Sequence, residues 1–255
     1  MNLYLITGTT KGLGAALRDV LVADAGNRVI TLSRASTTGL ADGRNTNIYA
    51  DFGANIGDVA SLPAAFLQIE QQLAGNTFAR AVLINNAGVV APVGRFDSLD
   101  SIALANNIQV NLTAPMVVTG WFAKATRGIA AERLVINISS GAATRAIAGW
   151  SAYCAAKAGL EMATRAAALE AAANDPTLAI CSLAPGVVDT PMQGEVRAAS
   201  EDAFPDVARF RTMKSDGVLR PAEDVARDIV RLIDDGRLSN GGNFDLRELI
   251  PQPKK

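Results

Sequence analysis

The run Leu3-Tyr4-Leu5-Ile6-Thr7-Gly8-Thr9-Thr10-Lys11-Gly12-Leu13-Gly14, residues 3–14, passes from consecutive apolar residues through a glycine-rich turn into the Ala- and Leu-rich stretch 13–26. A segment that is apolar on nearly every residue suits a strand buried on both faces. The composition that follows favours a helix opening at about Leu13. Glycines between the two let the backbone turn tightly and approach a pyrophosphate, and the free N–H groups of a helix N-terminus attract its charge. On this reading Gly8, Thr10, Lys11, Gly12 and Leu13 cradle a dinucleotide. The glycine order is TGxxxGxG and not GxGxxG, and the same glycines also serve as plain turn residues.

The pattern repeats outward from this stretch. Apolar or β-branched runs at 3–7, 28–33, 47–50, 81–85, 133–138 and 178–183 read as strands, with a last short strand ending at Asp245 and helical segments between them. Such alternation predicts an α/β fold: one Rossmann-type, doubly wound parallel sheet of about seven strands with helices on both faces, forming a single domain over 1–255. Residues 189–217 break the rhythm with mixed charge, two prolines and scattered apolar residues, as a substrate lid does. A helix is expected to open at Pro221, which suits its first position, and the tail after 249 is expected to fray.

Composition narrows the chemistry. The 255 residues contain no histidine, which excludes Ser-His-Asp and Cys-His nucleophiles and HExxH zinc sites. No metal site is expected, and any acid or base must be a Tyr, Lys, Cys or carboxylate. With 24 basic and 25 acidic side chains the formal net charge is −1, no footprint for nucleic acid or an anionic membrane. Cys154 and Cys181 show no framework spacing and suit a reducing compartment. The N-terminal run reads as mature structure and not a leader, and no apolar stretch approaches membrane-spanning length. A cytoplasmic protein acting on a small molecule is expected.

The second strand bears on the choice of dinucleotide. NAD binders place an acid about 20 residues beyond the glycines, whereas NADP calls for positive charge. Here the strand ends in Ser33-Arg34, and Lys11 offers a second cation. NADP(H) is the expected cofactor; plain surface charges are the competing reading. Asp51, with Phe52 beside it at the end of the third strand, either accepts from the adenine amino group or forms a turn.

Tyr153 and Lys157 lie four apart in a helical stretch and so project from one face. An ammonium beside a phenol favours the phenolate, lowers the Tyr pKa toward neutrality, and makes Tyr a usable acid/base. Ser140, at the end of the fifth strand, is placed to reach a substrate oxygen in the same crevice. Asn111 precedes Pro115 by four, so in a helix its carbonyl loses its usual donor and is left for water; a helix boundary at Thr113 is the alternative.

TGTTKGLG, Asn85-Asn86-Ala87-Gly88, Asn111, Ser140, Tyr153-Cys-Ala-Ala-Lys157 and Pro185-Gly186 together resemble the short-chain dehydrogenase/reductase family across nearly the whole chain. The resemblance implies that Tyr153 protonates a carbonyl oxygen and Ser140 positions it. It implies that Lys157 binds the nicotinamide ribose and that Asn111 joins a water relay. Asn86, Ala87 and Gly88 would flank the cofactor, with Pro185, Gly186, Val188 and Thr190 near its carboxamide. PGVVDTPM (185–192), GVLRPAEDVA (217–226) and SNGGNFD (239–245) look like the sepiapterin reductase and benzil reductase branch. In that branch Asp245 aligns with a substrate anchor; a turn cap is its other reading. Trp150, Met192, Phe204 and Phe210 are pocket candidates or core residues.

The expected function is therefore NADPH-dependent reduction of a ketone or diketone. An oxidative NAD(P)-dependent alcohol dehydrogenase and a non-catalytic NADP sensor are the alternatives. Family members associate through the Ala-rich helix bearing Tyr153, so a homodimer or homotetramer is expected.

Overall fold

The computed structural model describes residues 1–34 and 48–250. Strand β1 (Asn2–Thr7) leads through the glycine turn into α1 (Gly12–Val22), and β2 (Asn27–Ser33) follows. Then come β3 (Ile48–Gly53), α2 (Leu62–Leu73), β4 (Phe78–Asn85), α3 (Ser101–Ile108), α4 (Ala114–Ala125) and β5 (Ala130–Ile138). The chain continues with α5 (Ser151–Asn174), β6 (Leu178–Ala184), β7 (Val188–Asp189), α6 (Pro191–Arg197) and α7 (Val207–Ser215). It finishes with β8 (Arg220–Pro221), α8 (Ala222–Asp234), β9 (Asn243–Asp245) and α9 (Leu246–Leu249). Asn47, the first residue of the expected third strand, and the tail from 251 lie outside the described residues.

Seven strands form one parallel sheet in the order β3-β2-β1-β4-β5-β6-β9, the expected doubly wound architecture. Alternation along β1 shows why both faces must be covered. Leu3 and Leu5 enter a core with Phe66, Ile69, Val118 and Ala168 from α2, α4 and α5. Tyr4 and Ile6 enter the opposite core with Leu17, Leu21, Val225 and Ile229 from α1 and α8. In α8 the buried residues Val225, Ala226, Ile229, Leu232 and Ile233 follow helical periodicity, and Glu223 and Arg227 pair on the exposed side. The order reverses between β1 and β4, the switch point beyond which ligands of such sheets bind.

The structure corrects the expected start of the helix at Pro221, decides between the two readings of Asn111 and adds detail to segment 189–217. Pro221 caps α8 from outside, and the helix begins at Ala222. Asn111 lies inside a helix: α3 and α4 are joined by a widened π-helical turn, Gln109–Thr113, so no boundary separates Asn111 from α4. Pro115, which lacks an N–H, falls in the first turn of α4, where the ladder is already displaced. Segment 189–217 carries two helices, α6 and α7, anchored by a small third core. In it Trp150 stacks on Phe204 with centroids 4.8 Å apart, and Phe210 packs against both rings. Phe204 is fully buried and is a core residue.

Candidate active site

The cleft opens over the C-terminal ends of β1, β4, β5 and β6, roofed on one side by α6. Its floor is the glycine turn. Gly8 (φ 73°) comes so close to the β4 loop that a Cβ there would lie 2.7 Å from Ala87 Cα. A Cβ on Gly14 would lie 2.1 Å from the Gly8 carbonyl oxygen and 2.4 Å from Asn86 Nδ2. Asn86 fastens the two loops together, donating from Nδ2 to the carbonyls of Thr7 (3.1 Å) and Gly8 (3.0 Å), while Thr7 Oγ1 accepts from the Asn86 and Ala87 N–H groups. Buried Arg18 braces the loop from beneath by donating to the Thr9 carbonyl at 3.0 Å. Helix α1 starts with no side-chain cap, which leaves its first N–H groups facing this floor. That arrangement fits the pyrophosphate of a dinucleotide: the backbone is bare where the ligand must approach, and the helix end supplies donors.

Gly8, Thr10, Gly12, Leu13, Asn86, Ala87 and Gly88 all line this end of the cleft, as do Ser33 and Arg34 at the tip of β2. Arg34 is exposed. Lys11 also lines the cleft and lies 3.5 Å from Glu195 of α6, an exposed ion pair of little energetic weight. Asp51 and Phe52 are not among the lining residues. Asp51 accepts from Thr31 Oγ1 at 2.6 Å, and Phe52 packs against the core under β3. Pro185, Gly186, Val188 and Thr190 form the far wall, with the Thr190 methyl 3.2 Å from where a Gly12 Cβ would stand.

Ser140, Tyr153 and Lys157 meet at the centre of the cleft. The strand end positions the serine; α5 presents the other two on one face. Lys157 Nζ donates to the Ile138 carbonyl at 2.7 Å and stands 5.8 Å from the Tyr153 ring centroid. Burial dominates the electrostatics here. It pushes the Lys157 ammonium down to about 8, with Glu161 pulling it back up. It also lifts the Tyr153 phenol above its ordinary value, and a side-chain hydrogen bond with Ser140 pulls the other way. The expected depression of the phenol is therefore reversed: desolvation outweighs a lysine whose proton is directed at a backbone carbonyl. A phenol so placed keeps its proton at neutral pH.

Asn111 does not line the cleft. Its buried side chain accepts from the Val89 N–H (3.1 Å) and donates to the Val89 carbonyl (2.8 Å) and to Asn107 Oδ1 (2.9 Å). It clamps the β4 loop while bordering, with Lys157 Nζ, the space beside Gly88.

Trp150 and Met192 line the cleft, Trp150 edge-on to Tyr153 at 5.5 Å. Asp245 does not. It caps α9 by accepting from the Arg247 N–H and pairs with the Arg247 guanidinium at 2.5 Å, which holds its carboxyl below the usual range. Arg145 and Arg247, absent from the sequence reading, line the substrate end instead. The sequence carries no local signal for either, since Arg145 reaches the cleft from a loop and Arg247 from α9, which only tertiary folding brings together.

Among the described residues no group of His, Cys, Asp and Glu is arranged to hold a metal, and no helix is long and apolar enough to cross a membrane.

A glycine-cradled cleft at the switch point of a doubly wound sheet, with Ser, Tyr and Lys converging beside it, defines an oxidoreductase of the Rossmann class. The chain belongs to the short-chain dehydrogenase family, whose family model, described as short chain dehydrogenase, matches residues 2–201. It is 36% identical over 244 residues to a Bacillus cereus benzil reductase that forms (S)-benzoin, covering 94% of this chain and 97% of that one. It is 30% identical over 265 residues to Bos taurus sepiapterin reductase, covering 96% of this chain and 94% of the relative. Among solved structures it is similar to the KRED1-Pglu enzyme, with a TM-score of 0.80 and 26% identity over 95% of this chain and all of the other.

Proposed function

We propose that the protein is an NADPH-dependent carbonyl reductase that converts a ketone or diketone to the corresponding alcohol. The observation that carries the proposal is the convergence of Ser140, Tyr153 and Lys157 beside the glycine floor. The benzil reductase relative, matched over nearly its full length, supports a diketone as the substrate class.

When bound, the reduced nicotinamide supplies the hydride. Tyr153 gives its proton to the carbonyl oxygen, and Ser140, already hydrogen-bonded to the phenol, holds that oxygen in line. Both hydroxyls are fixed before the reaction, so the developing alkoxide is stabilised without reorganisation. Lys157 would hold the nicotinamide ribose, and its charge would favour the phenolate left behind. Asn111 keeps the β4 loop closed around this centre and orders water next to the lysine. Arg34, with Lys11, would hold the 2′-phosphate and favour NADPH. Pro185, Gly186, Val188 and Thr190, which line the far wall, would hold the carboxamide.

Residues 189–217 act as the lid of a single domain spanning 1–255. Trp150 and Met192 contact the substrate. The Asp245–Arg247 pair frames the entrance, with Asp245 acting through Arg247. The protein is cytoplasmic and self-associated; free Cys154 and Cys181 support the compartment, and exposed Met116, Met162 and Leu169 on α4 and α5 support association. Light scattering that returned the 26.5 kDa mass of one chain would remove the oligomer from this account.

The test is NADPH oxidation measured with benzil and related aromatic diketones. Turnover with NADPH and little with NADH is expected. Tight NADPH binding with no turnover across the panel would favour a sensor.

A further inference from the structure

The end of β5 and the face of α5 are matched residue by residue. Asn137 donates to Thr164 Oγ1 at 2.8 Å, the Ile138 carbonyl accepts from Lys157, Ser139 donates to Glu161 Oε1 at 2.6 Å, and Ser140 bonds Tyr153. Tyr153, Lys157 and Glu161 are spaced by four and so stack along one helical stripe. Glu161 is as buried as its neighbours, and its second oxygen accepts from Asn243 Nδ2 at 2.8 Å, which ties α5 to β9. Nothing in the proposed chemistry uses this carboxylate. A buried carboxylate one helical turn from a buried ammonium is costly unless the two charges serve each other.

We propose that Glu161 is the positioning residue of Lys157: held by Ser139 and Asn243, its carboxylate keeps the ammonium charged and in register with Tyr153. The surroundings of Lys157 leave that task to it. From the same helix the lysine faces Tyr153 and Glu161. From β5 it meets the uncharged Ile138 carbonyl, and across Gly88 it meets the uncharged Asn111 amide. Burial drives Lys157 toward its neutral form, and the field of Glu161 is the opposing influence. The two tethers matter because they leave the carboxylate with donors already satisfied. Its charge then acts through space on the lysine, and its rotamer is fixed.

The inference has a kinetic consequence that rests on the reductase reading and a chemical one that does not. The chemical arm is trace labelling of Lys157 with acetic anhydride as pH is raised, quantified by peptide mass spectrometry in wild type, E161Q and S139A. Loss of the carboxylate charge should lower the labelling midpoint of Lys157 by about 1 pH unit in E161Q. S139A, which keeps the charge but removes one of the two tethers, should shift the midpoint in the same direction by less than E161Q does. The kinetic arm is the alkaline limb of kcat/KM for NADPH-driven reduction of benzil, which should move to lower pH by the same amount in E161Q. An unmoved labelling midpoint in E161Q overturns the proposal whatever happens to activity, because a merely structural role would lower turnover without shifting the titration. A shifted midpoint beside an unmoved kinetic limb leaves the role of Glu161 standing and counts against Lys157 in the reductase reading. E161A leaves room for water and carries the same test should E161Q fail to fold.

Discussion

Replacing Gly14 by alanine isolates the role of the glycine floor. Gly14 lies in the first turn of α1, where alanine is ordinarily favoured over glycine by about 1 kcal/mol. Here the added Cβ would lie 2.1 Å from the Gly8 carbonyl and 2.4 Å from Asn86 Nδ2, separations no real contact tolerates. Relief requires both the Gly8 peptide and the Asn86 side chain to shift away from α1, which breaks the Asn86 bonds to the Thr7 and Gly8 carbonyls. Overpacking of this kind costs about 1–3 kcal/mol, and each lost hydrogen bond about 1 kcal/mol. After the helix-propensity gain, a net loss of about 2–4 kcal/mol is expected, or a Tm lower by roughly 4–16 °C for a chain of this size. The assay is thermal unfolding beside NADPH titration, with G120A as the comparison. Gly120 sits in α4 with nothing within 4 Å of its would-be Cβ, so alanine there should raise Tm slightly. If G14A unfolded and bound NADPH as the wild type does, the close approach of the two loops would have no part in building the floor.

Arg34→Asp removes a cation and adds an anion at the tip of β2; NADPH affinity should fall by about 10- to 100-fold while NADH affinity holds or improves. An unchanged ratio in fluorescence titrations would remove Arg34 from cofactor selection. At alkaline pH, buried Cys181 has its thiol pushed up from about 9 to about 12, so above pH 9 the unfolded chain loses this proton and the folded chain keeps it. Its contribution to stability therefore falls by about 1.4 kcal/mol per pH unit between those values. Lys157 has the opposite sign: its pKa is lowered from 10.5 to about 8, so between these values the unfolded chain holds the extra proton and stability rises. In urea unfolding between pH 9 and 10.5, C181A should gain stability relative to wild type as pH climbs, and K157M should lose it; parallel curves would contradict both assignments.

The sheet was legible because a strand covered on both faces must be apolar at every position, as in Leu3–Ile6 and Ala81–Ile84. Strand starts were less so: β4 begins at Phe78, but Arg80 interrupts its apolar run, and backbone pairing with β5 carries the strand through a charged residue. The helices within 189–217 gave no periodic signal. Their order comes from Phe204 and Phe210 packing on Trp150, distant in sequence. Ser140, Tyr153 and Lys157 could be picked out because helix spacing and strand ends are local geometry. The reversed shift of Tyr153 could not, because it depends on how deeply the phenol is buried. Arg18, Arg145, Glu161 and Arg247 read as ordinary helix or loop charges until the fold aims them at the cleft, at the glycine loop or at Lys157.

The central claim is that the Tyr153 hydroxyl delivers the proton. Tyr153→Phe removes one oxygen from a ring held edge-on by Trp150, so the fold and the cradle should survive. Measured with a diketone and saturating NADPH, kcat should drop by about 100-fold or more with the NADPH Kd nearly unchanged; turnover within a few-fold of wild type would contradict the account.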